Sequence, residues 1–347
     1  MARTAIFRDD LFMEHDPGYS HVESPDRLRV IYEELDQTRD DSDFLFPSAD
    51  PAGRDILLLN HSEAHVDRIE QTAGRQFDAL DPDTSTSPRS HDAACLAAGA
   101  VVEGVRLLAA GEIDNCFALV RPPGHHAEYD RAMGFCLFNN VAIAAHYAIE
   151  HEGLKRILIF DWDLHHGNGT QHSFYDSNQV LYFSTHQYPY YPGTGAVSEV
   201  GTGAGEGYTI NVPLSGGQGD MDFSRICNEL LAPIARQYKP EMILVSAGFD
   251  IYQGDPLGGM NVTPDGFAYM ARALKELAEE VCEGKLLLTL EGGYSLSGLR
   301  DGVMAVLSEL NGSGHLGESD IDRFKNSSDP LPLLNSAQII AKNFWKL

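Results

Sequence analysis

The fold class this chain predicts is an open α/β layer structure, and three observations predict it. Short apolar runs alternate with helix-like segments along the chain. No Pro/Ser-rich linker divides its 347 residues, which points to one domain spanning 1–347. Four of the apolar runs stop abruptly at polar clusters, as strands of a parallel sheet do when their carboxyl ends open on a common crevice.

In chain order, the candidate strands are residues 4–7, 56–59, 116–120, 156–160, 180–184, 208–212, 242–246 and 286–290. Helical stretches between them include 93–110, 141–151, 223–237 and 264–282. The expected architecture is a three-layer α/β/α sandwich around a mainly parallel, eight-stranded sheet. No internal repeat or low-complexity tract interrupts it.

The most informative polar cluster follows the run 156–160 and reads Asp161-Trp-Asp163-Leu-His165-His166-Gly-Asn168. Residues two apart on an extended chain share a face, so Asp163 and His165 offer one oxygen and one nitrogen to a single ion. Such a pair suits a borderline cation such as zinc. Alone, a D-x-H step is more often part of an ordinary polar loop. Here it has company at other strand ends: Arg121-Pro-Pro-Gly-His125-His126, then Ser246-Ala-Gly-Phe-Asp250 with Asp255-Pro256-Leu257, and Glu291-Gly-Gly-Tyr294.

Composition narrows the function classes. Asp and Glu number 51 against 25 Lys and Arg, a formal charge of −26, which argues against a nucleic-acid surface and suits cationic substrates or plain solubility. The five cysteines are scattered, odd in number and without C-x-x-C spacing, so disulfides are not expected. Neither a basic-then-apolar leader nor an apolar stretch of membrane-spanning length is visible, so a cytoplasmic protein with no membrane partner is expected.

The ordered set RPPGHHA, GFCLFNN, DWDLHHGNGTQ, SAGFD, GDPLGG and EGGY resembles the histone deacetylase and acetylpolyamine amidohydrolase superfamily, from about His21 to about Ser308. Asn168, Trp162 and Leu257 place the resemblance nearest the class II and bacterial deacetylase-like members. It implies an arginase-like fold, a hydrolase acting on amide bonds, and one zinc ion held by Asp163, His165 and Asp250. It further implies His126 as general base and then acid, His125 as its electrostatic partner, and Tyr294 as donor to the oxyanion. Asp161 and Asn168 would orient His125 and His126. Because an amide stabilises an imidazolium less than a carboxylate does, His126 is expected to be less basic than in a carboxylate-paired relative.

The resemblance also implies a structural potassium ion at Asp161 and Ser184, and a substrate tunnel formed by Gly134, Phe135, Tyr191 and the rim residue Leu257. Arg27 would line an inner channel through which acetate leaves. Asp83 either grips the substrate backbone or simply forms a turn. The substrate expected is an acylated lysine in a peptide or protein, with acetylated polyamines as the alternative; the neutral Leu257 stands where strict polyamine members tend to carry an acid. A non-catalytic acyl-lysine binding protein is the third reading, set against a full complement of catalytic groups. A homo-oligomer is left open. The binuclear manganese ureohydrolases, distant fold relatives, need bridging acids where this chain has Gly167 and Tyr252.

Overall fold

The computed structural model describes residues 2–38, 43–326 and 331–347. Its strands are β1 (Thr4–Phe7), β2 (Asp78–Ala79), β3 (Ser85–Thr86), β4 (Asn115–Ala118), β5 (Ile157–Asp161), β6 (Val180–Gln187), β7 (Thr209–Leu214), β8 (Met242–Ala247) and β9 (Leu286–Leu290). Seven of them form one sheet in the order β1-β4-β9-β8-β5-β6-β7, with every neighbouring pair parallel. Strands β2 and β3 form a separate antiparallel ribbon. Every residue of β1, β4, β5, β8 and β9 is buried, so side chains on both faces are covered. This is why these strands read as unbroken apolar runs rather than alternating ones.

The expected eighth strand is not formed. Residues 56–59 overlap the helical turn Arg54–Leu57, which turns Leu57 into a small second core with Val66, Ile69, Phe138 and Ile143. A four-residue apolar run carries no period that separates strand from helix; what it packs against decides. The long helix expected over 223–237 is present as Asp220–Ile226, a π-helical turn Cys227–Leu231 and Ala232–Tyr238. The irregular turn lies directly before Pro233, whose missing N–H cannot continue the α-helical ladder.

The three central strands position the site. Asp161 on β5 pairs in register with Ser246 on β8, and Ser246 pairs with Thr289 on β9. The chain therefore leaves all three strands at nearly the same level, and the segments that follow meet above the sheet's carboxyl edge. On the outer edge, the helix Pro332–Ala341 packs against β7, whose other side pairs with β6, and Trp345 Nε1 donates to Gly207 O just before the strand at 2.9 Å. Among the described residues, no helix is long and apolar enough to cross a membrane.

The loop before the second core crosses the helix Ser90–Ala109 at Gly99, where Ala52 N donates to Cys95 O at 2.8 Å. A Cβ at Gly99 would overlap the Asp50 carbonyl oxygen and stand 2.8 Å from Ala52 N, both backbone atoms that cannot rotate away. Gly99→Ala is expected to lower stability by about 1–3 kcal/mol despite alanine's better helix propensity. Urea denaturation of the two proteins checks this; equal midpoints would show that the crossing is loose.

Candidate active site

At the carboxyl edge of β5, β8 and β9, the groups singled out in the sequence converge. Asp163, His165 and Asp250 are all buried, and one ligand atom from each lies within 4.8 Å of the others. His165 Nδ1 stands 3.2 Å from Asp163 Oδ1 and 3.1 Å from Asp250 Oδ2. Local backbone fixes both carboxylates: Asp163 Oδ1 accepts from His165 N at 2.9 Å, Asp163 Oδ2 from Gly292 N at 2.8 Å, and Asp250 Oδ1 from Leu164 N at 2.9 Å. Gly292 is required there, because a Cβ would collide with the carboxylate oxygens of Asp250 and Asp163.

Among the described residues, neither carboxylate has a lysine or arginine ion-pair partner; the only cationic groups paired with them are imidazoles. Burial, and then the charge of Asp163, raise the Asp250 carboxyl above the usual carboxylate range. Two buried carboxylates and one imidazole, converging and short of positive charge, make a donor set that fits a divalent cation of borderline softness.

The paired histidines lie beside this cluster, with ring centroids 4.0 Å apart. His125 Nδ1 is 3.1 Å from Asp161 Oδ2, an oxygen that also accepts from Tyr182 Oη at 2.9 Å. Burial alone would depress the His125 pKa, but the carboxylates of Asp161 and Asp163 outweigh it and hold it up at about 10. His126 Nδ1 is 2.8 Å from Asn168 Oδ1. Burial and the neighbouring His125 push the His126 pKa well below the ordinary imidazole value. The carboxylates beside His125 outweigh its burial, while the Asn168 amide beside His126 does not outweigh burial and the neighbouring imidazoles.

Opposite them stands Tyr294. Asp255 Oδ2 accepts from the backbone N–H of Tyr294 at 2.7 Å and of Ser295 at 2.9 Å, while Asp255 Oδ1 accepts from Leu257 N at 2.9 Å. One carboxylate therefore holds both the Tyr294 turn and the Leu257 rim. Burial, and then the charge of Asp250, raise the Tyr294 phenol well above its usual range, so it remains a hydrogen-bond donor at neutral pH.

Of these groups, His125, His126, His165, Gly292, Tyr294 and Leu257 line a cavity of about 270 Å³. Phe135, edge-on to Tyr294 at 6.0 Å, and Tyr191, edge-on to His126 at 5.1 Å, contribute to its walls. Gly134 lies flat against His126, at φ +57°, where a Cβ would enter the imidazole ring. Leu257 reaches the rim, and Tyr190 Oη donates to its carbonyl at 2.9 Å, tying the loop after β6 to the loop after β8. Asp83 also lines the cavity and accepts from Gly134 N at 3.3 Å; the turn before it is held by Asp81, whose Oδ1 accepts from Asp83 N and Thr84 N.

Six expected site residues lie behind the cavity wall: Asp161, Asp163, Asn168 and Asp250, described above, and Arg27 and Ser184. Arg27 is buried behind Tyr294 with its guanidinium 5.1 Å from that ring, donating to Gly293 O, Glu291 O and Glu23 Oε1. Ser184 faces Asp161 in the β5–β6 register, its hydroxyl 2.9 Å from His186 Nδ1. Several supporting groups escape a reading of the sequence. Glu291 Oε2 accepts from Gly124 N at 2.6 Å and His125 N at 3.2 Å, bracing the histidine loop. Its place at a strand end, inside the EGGY run, was the available signal, as it was for Asp255 in GDPLGG. Tyr182 gave none, since it reads as one more apolar residue of β6.

A parallel α/β scaffold thus gathers a metal-competent cluster, a histidine pair and a phenol around one cavity. The histone deacetylase domain matches residues 21–310 of the chain. Histone deacetylase 18 of Arabidopsis thaliana is 40% identical over 97% of this chain and 50% of its own length. A probable deacetylase of Archaeoglobus fulgidus is 38% identical over 85% of this chain and 82% of its own. The crystal structure of the HDA15 HD domain superposes with a TM-score of 0.90 at 38% identity, covering 99% of this chain and 95% of that one. The chain belongs to the histone deacetylase family. It spans about half the length of the plant relatives it matches.

The converging donor set generates a direct prediction. Asp250→Ala should abolish tight binding of zinc or cobalt, because a three-residue set tolerates no loss. Metal content after dialysis checks it, with circular dichroism to verify the fold. Metal content equal to wild type would remove Asp250 from the cluster's function.

Proposed function

We propose that the chain is a zinc-dependent amidohydrolase that removes acetyl or other short acyl groups from acylated lysine side chains. The observation that carries this reading is one aromatic-walled cavity lined by His125, His126, His165 and Tyr294, with Asp163 and Asp250 directly behind His165. Asp163, His165 and Asp250 would hold the zinc and leave positions open, as catalytic sites do. Bound there, zinc would polarise the acyl carbonyl as a Lewis acid and increase the acidity of the attacking water. Asp161 and Ser184, opposite one another in the β5–β6 register, would hold a potassium ion.

The remaining steps belong to the chain's own side chains. His126, donating from Nδ1 to Asn168, keeps Nε2 available to the cavity, where it takes the proton of the attacking water. The water oxygen joins the acyl carbon, the C–N bond breaks, and His126 passes the proton to the departing lysine amine. His125, held positive by Asp161, stabilises the developing negative charge from the side. Tyr294 donates its phenol proton in a hydrogen bond to the carbonyl oxygen as that atom becomes an oxyanion. Phe135 and Tyr191 flank the aliphatic stem, which they shield from water, and the carbonyl is left to the polar end of the cavity.

The test is acetate release from acetyl-lysine peptides, acetylspermidine and acetylputrescine by one zinc-loaded preparation. Release from none of them would replace the hydrolase with a non-catalytic acyl-lysine binder. Tyr294→Phe should keep metal and fold while kcat falls roughly 10²–10³-fold, as for one lost oxyanion donor. Native turnover in that variant would exclude Tyr294 from the mechanism.

The formal charge of −26 favours cationic substrates and keeps acetylated polyamines as the second reading. Leu257 separates the two. A carboxylate at this rim position could reach a distal ammonium, whereas an acyl-lysine backbone gains nothing comparable. Leu257→Glu should raise kcat/KM for acetylspermidine relative to an acetyl-lysine peptide, by a factor that shrinks with added salt. A native enzyme that already prefers acetylspermidine, with a ratio unmoved by the substitution, would establish the polyamine reading instead.

A further inference from the structure

His126 is held by an amide, and an amide has two ends. Asn168 Oδ1 faces His126 Nδ1 at 2.8 Å, so the imidazole must donate from Nδ1. Were the amide reversed, its NH₂ would face Nδ1, the ring proton would move to Nε2, and the nitrogen available to the cavity would have no lone pair for a proton. The direction of one side-chain amide therefore decides whether His126 serves as a base.

Nothing within Asn168 fixes that direction; its surroundings do. The amide nitrogen meets three acceptors: Glu128 Oε1 at 2.5 Å, His126 O at 3.2 Å and Met133 Sδ at 3.5 Å. Glu128 is the nearest of them and the only one that carries a charge. A reversed amide would set its oxygen against that carboxylate, the most unfavourable contact available to it. Glu128 is in turn held in place. His172 Nδ1 lies 2.9 Å from both carboxylate oxygens, and the main chain of Glu128 is pinned by N–H donation to Arg131 O and by its carbonyl 2.9 Å from His61 Nδ1. Burial alone would raise the Glu128 pKa, but hydrogen bonds from His172 and Asn168 outweigh it and keep the group ionised.

We propose that Glu128 is a positioning residue of the active site, whose carboxylate orients the Asn168 amide and thereby holds His126 in its Nδ1–H tautomer. The carboxylate absent from the residue beside His126 is thus present one hydrogen bond further away. It sets the tautomer without placing a charge against the ring. The inference rests on the reading of His126 as general base, but the tautomer is measurable without turnover.

The test uses the full chain with ¹⁵N-labelled histidine, the His126 signals assigned by comparison with His126→Gln. Spectra are taken at about pH 8, above the ordinary imidazole range, before and after zinc is added. Wild type should show protonated Nδ1 and unprotonated Nε2. In Glu128→Gln the side chain can donate as well as accept, so the amide loses its bias and the Nε2–H tautomer should gain population. In the zinc-loaded enzyme, kcat should fall about 10- to 100-fold, the usual loss for such a supporting group, with KM for an acetyl-lysine peptide unchanged. The double variant Glu128→Gln with Asn168→Asp should restore both the tautomer and most of kcat, since a carboxylate at 168 accepts from Nδ1 whichever way it turns. A wild-type tautomer in Glu128→Gln, or no recovery in the double variant, overturns the proposal. A shifted tautomer with undiminished kcat upholds the positioning role and instead removes His126 as the base. Should Glu128→Gln fail to fold, Glu128→Asp, which withdraws the carboxylate while keeping its charge, must show the same shift in weaker form.

Discussion

Negative charge buried at the ends of the central strands is the constraint around which this molecule is arranged. Asp161, Asp163, Asp250 and Glu291 are all fully or almost fully buried at the carboxyl edge of the sheet. Desolvating a carboxylate costs several kcal/mol unless hydrogen bonds or opposite charge compensate. Each has such compensation. Backbone N–H groups of Leu164, His165 and Gly292 serve the metal-competent pair, Tyr182 and His125 serve Asp161, and Gly124, His125 and Ser246 serve Glu291. The loops after β4, β5, β8 and β9 take their paths because those donors must arrive there.

The same compensation holds the groups around the cavity in place. Tyr294 owes its position to Asp255, which accepts from its backbone, and to Arg27, which grips the carbonyls on either side of the Gly292-Gly293 turn. Arg27 and Arg121 are themselves buried and share Glu23, so two positive charges and one carboxylate brace the turn from behind. The histidine loop and the Tyr294 turn come from opposite sides of the cavity, yet Glu291 spans them, its side chain on the first and its carbonyl on Arg27. A site built this way holds its geometry before any ligand arrives, which is the condition for electrostatic stabilisation of developing charge.

Walls and chemistry are linked as well. Asp255 fixes the Tyr294 backbone with one oxygen and the Leu257 rim with the other, and Tyr190 closes the rim from the loop after β6. A change at the entrance is therefore felt at Tyr294 through a single carboxylate. Changes of substrate at such a site are expected to affect kcat as well as KM, because the wall and the donor share their support.

How much of this was legible in the sequence follows from how local each feature is. The runs at 4–7 and 286–290 coincide with their strands, and the other five strands lie within a few residues of expectation, because continuous burial leaves a continuous apolar signature. Asp163 with His165 was readable from two-residue spacing at a strand end, and the family from six motifs in order. The run 56–59 was misread as a strand because four residues carry no period, and its packing partners, Ile69 and Phe138, are remote in sequence. Asp250 was joined to Asp163 by the resemblance and not by any spacing, and the remaining meetings were decided by tertiary structure alone: Glu291 reaches back to Gly124, and Glu128 meets Asn168 forty positions on. A sequence names the groups that can ionise or donate. Their partners are set by the register of parallel strands and the paths of the loops between them, which come into being only when the sheet closes and water leaves.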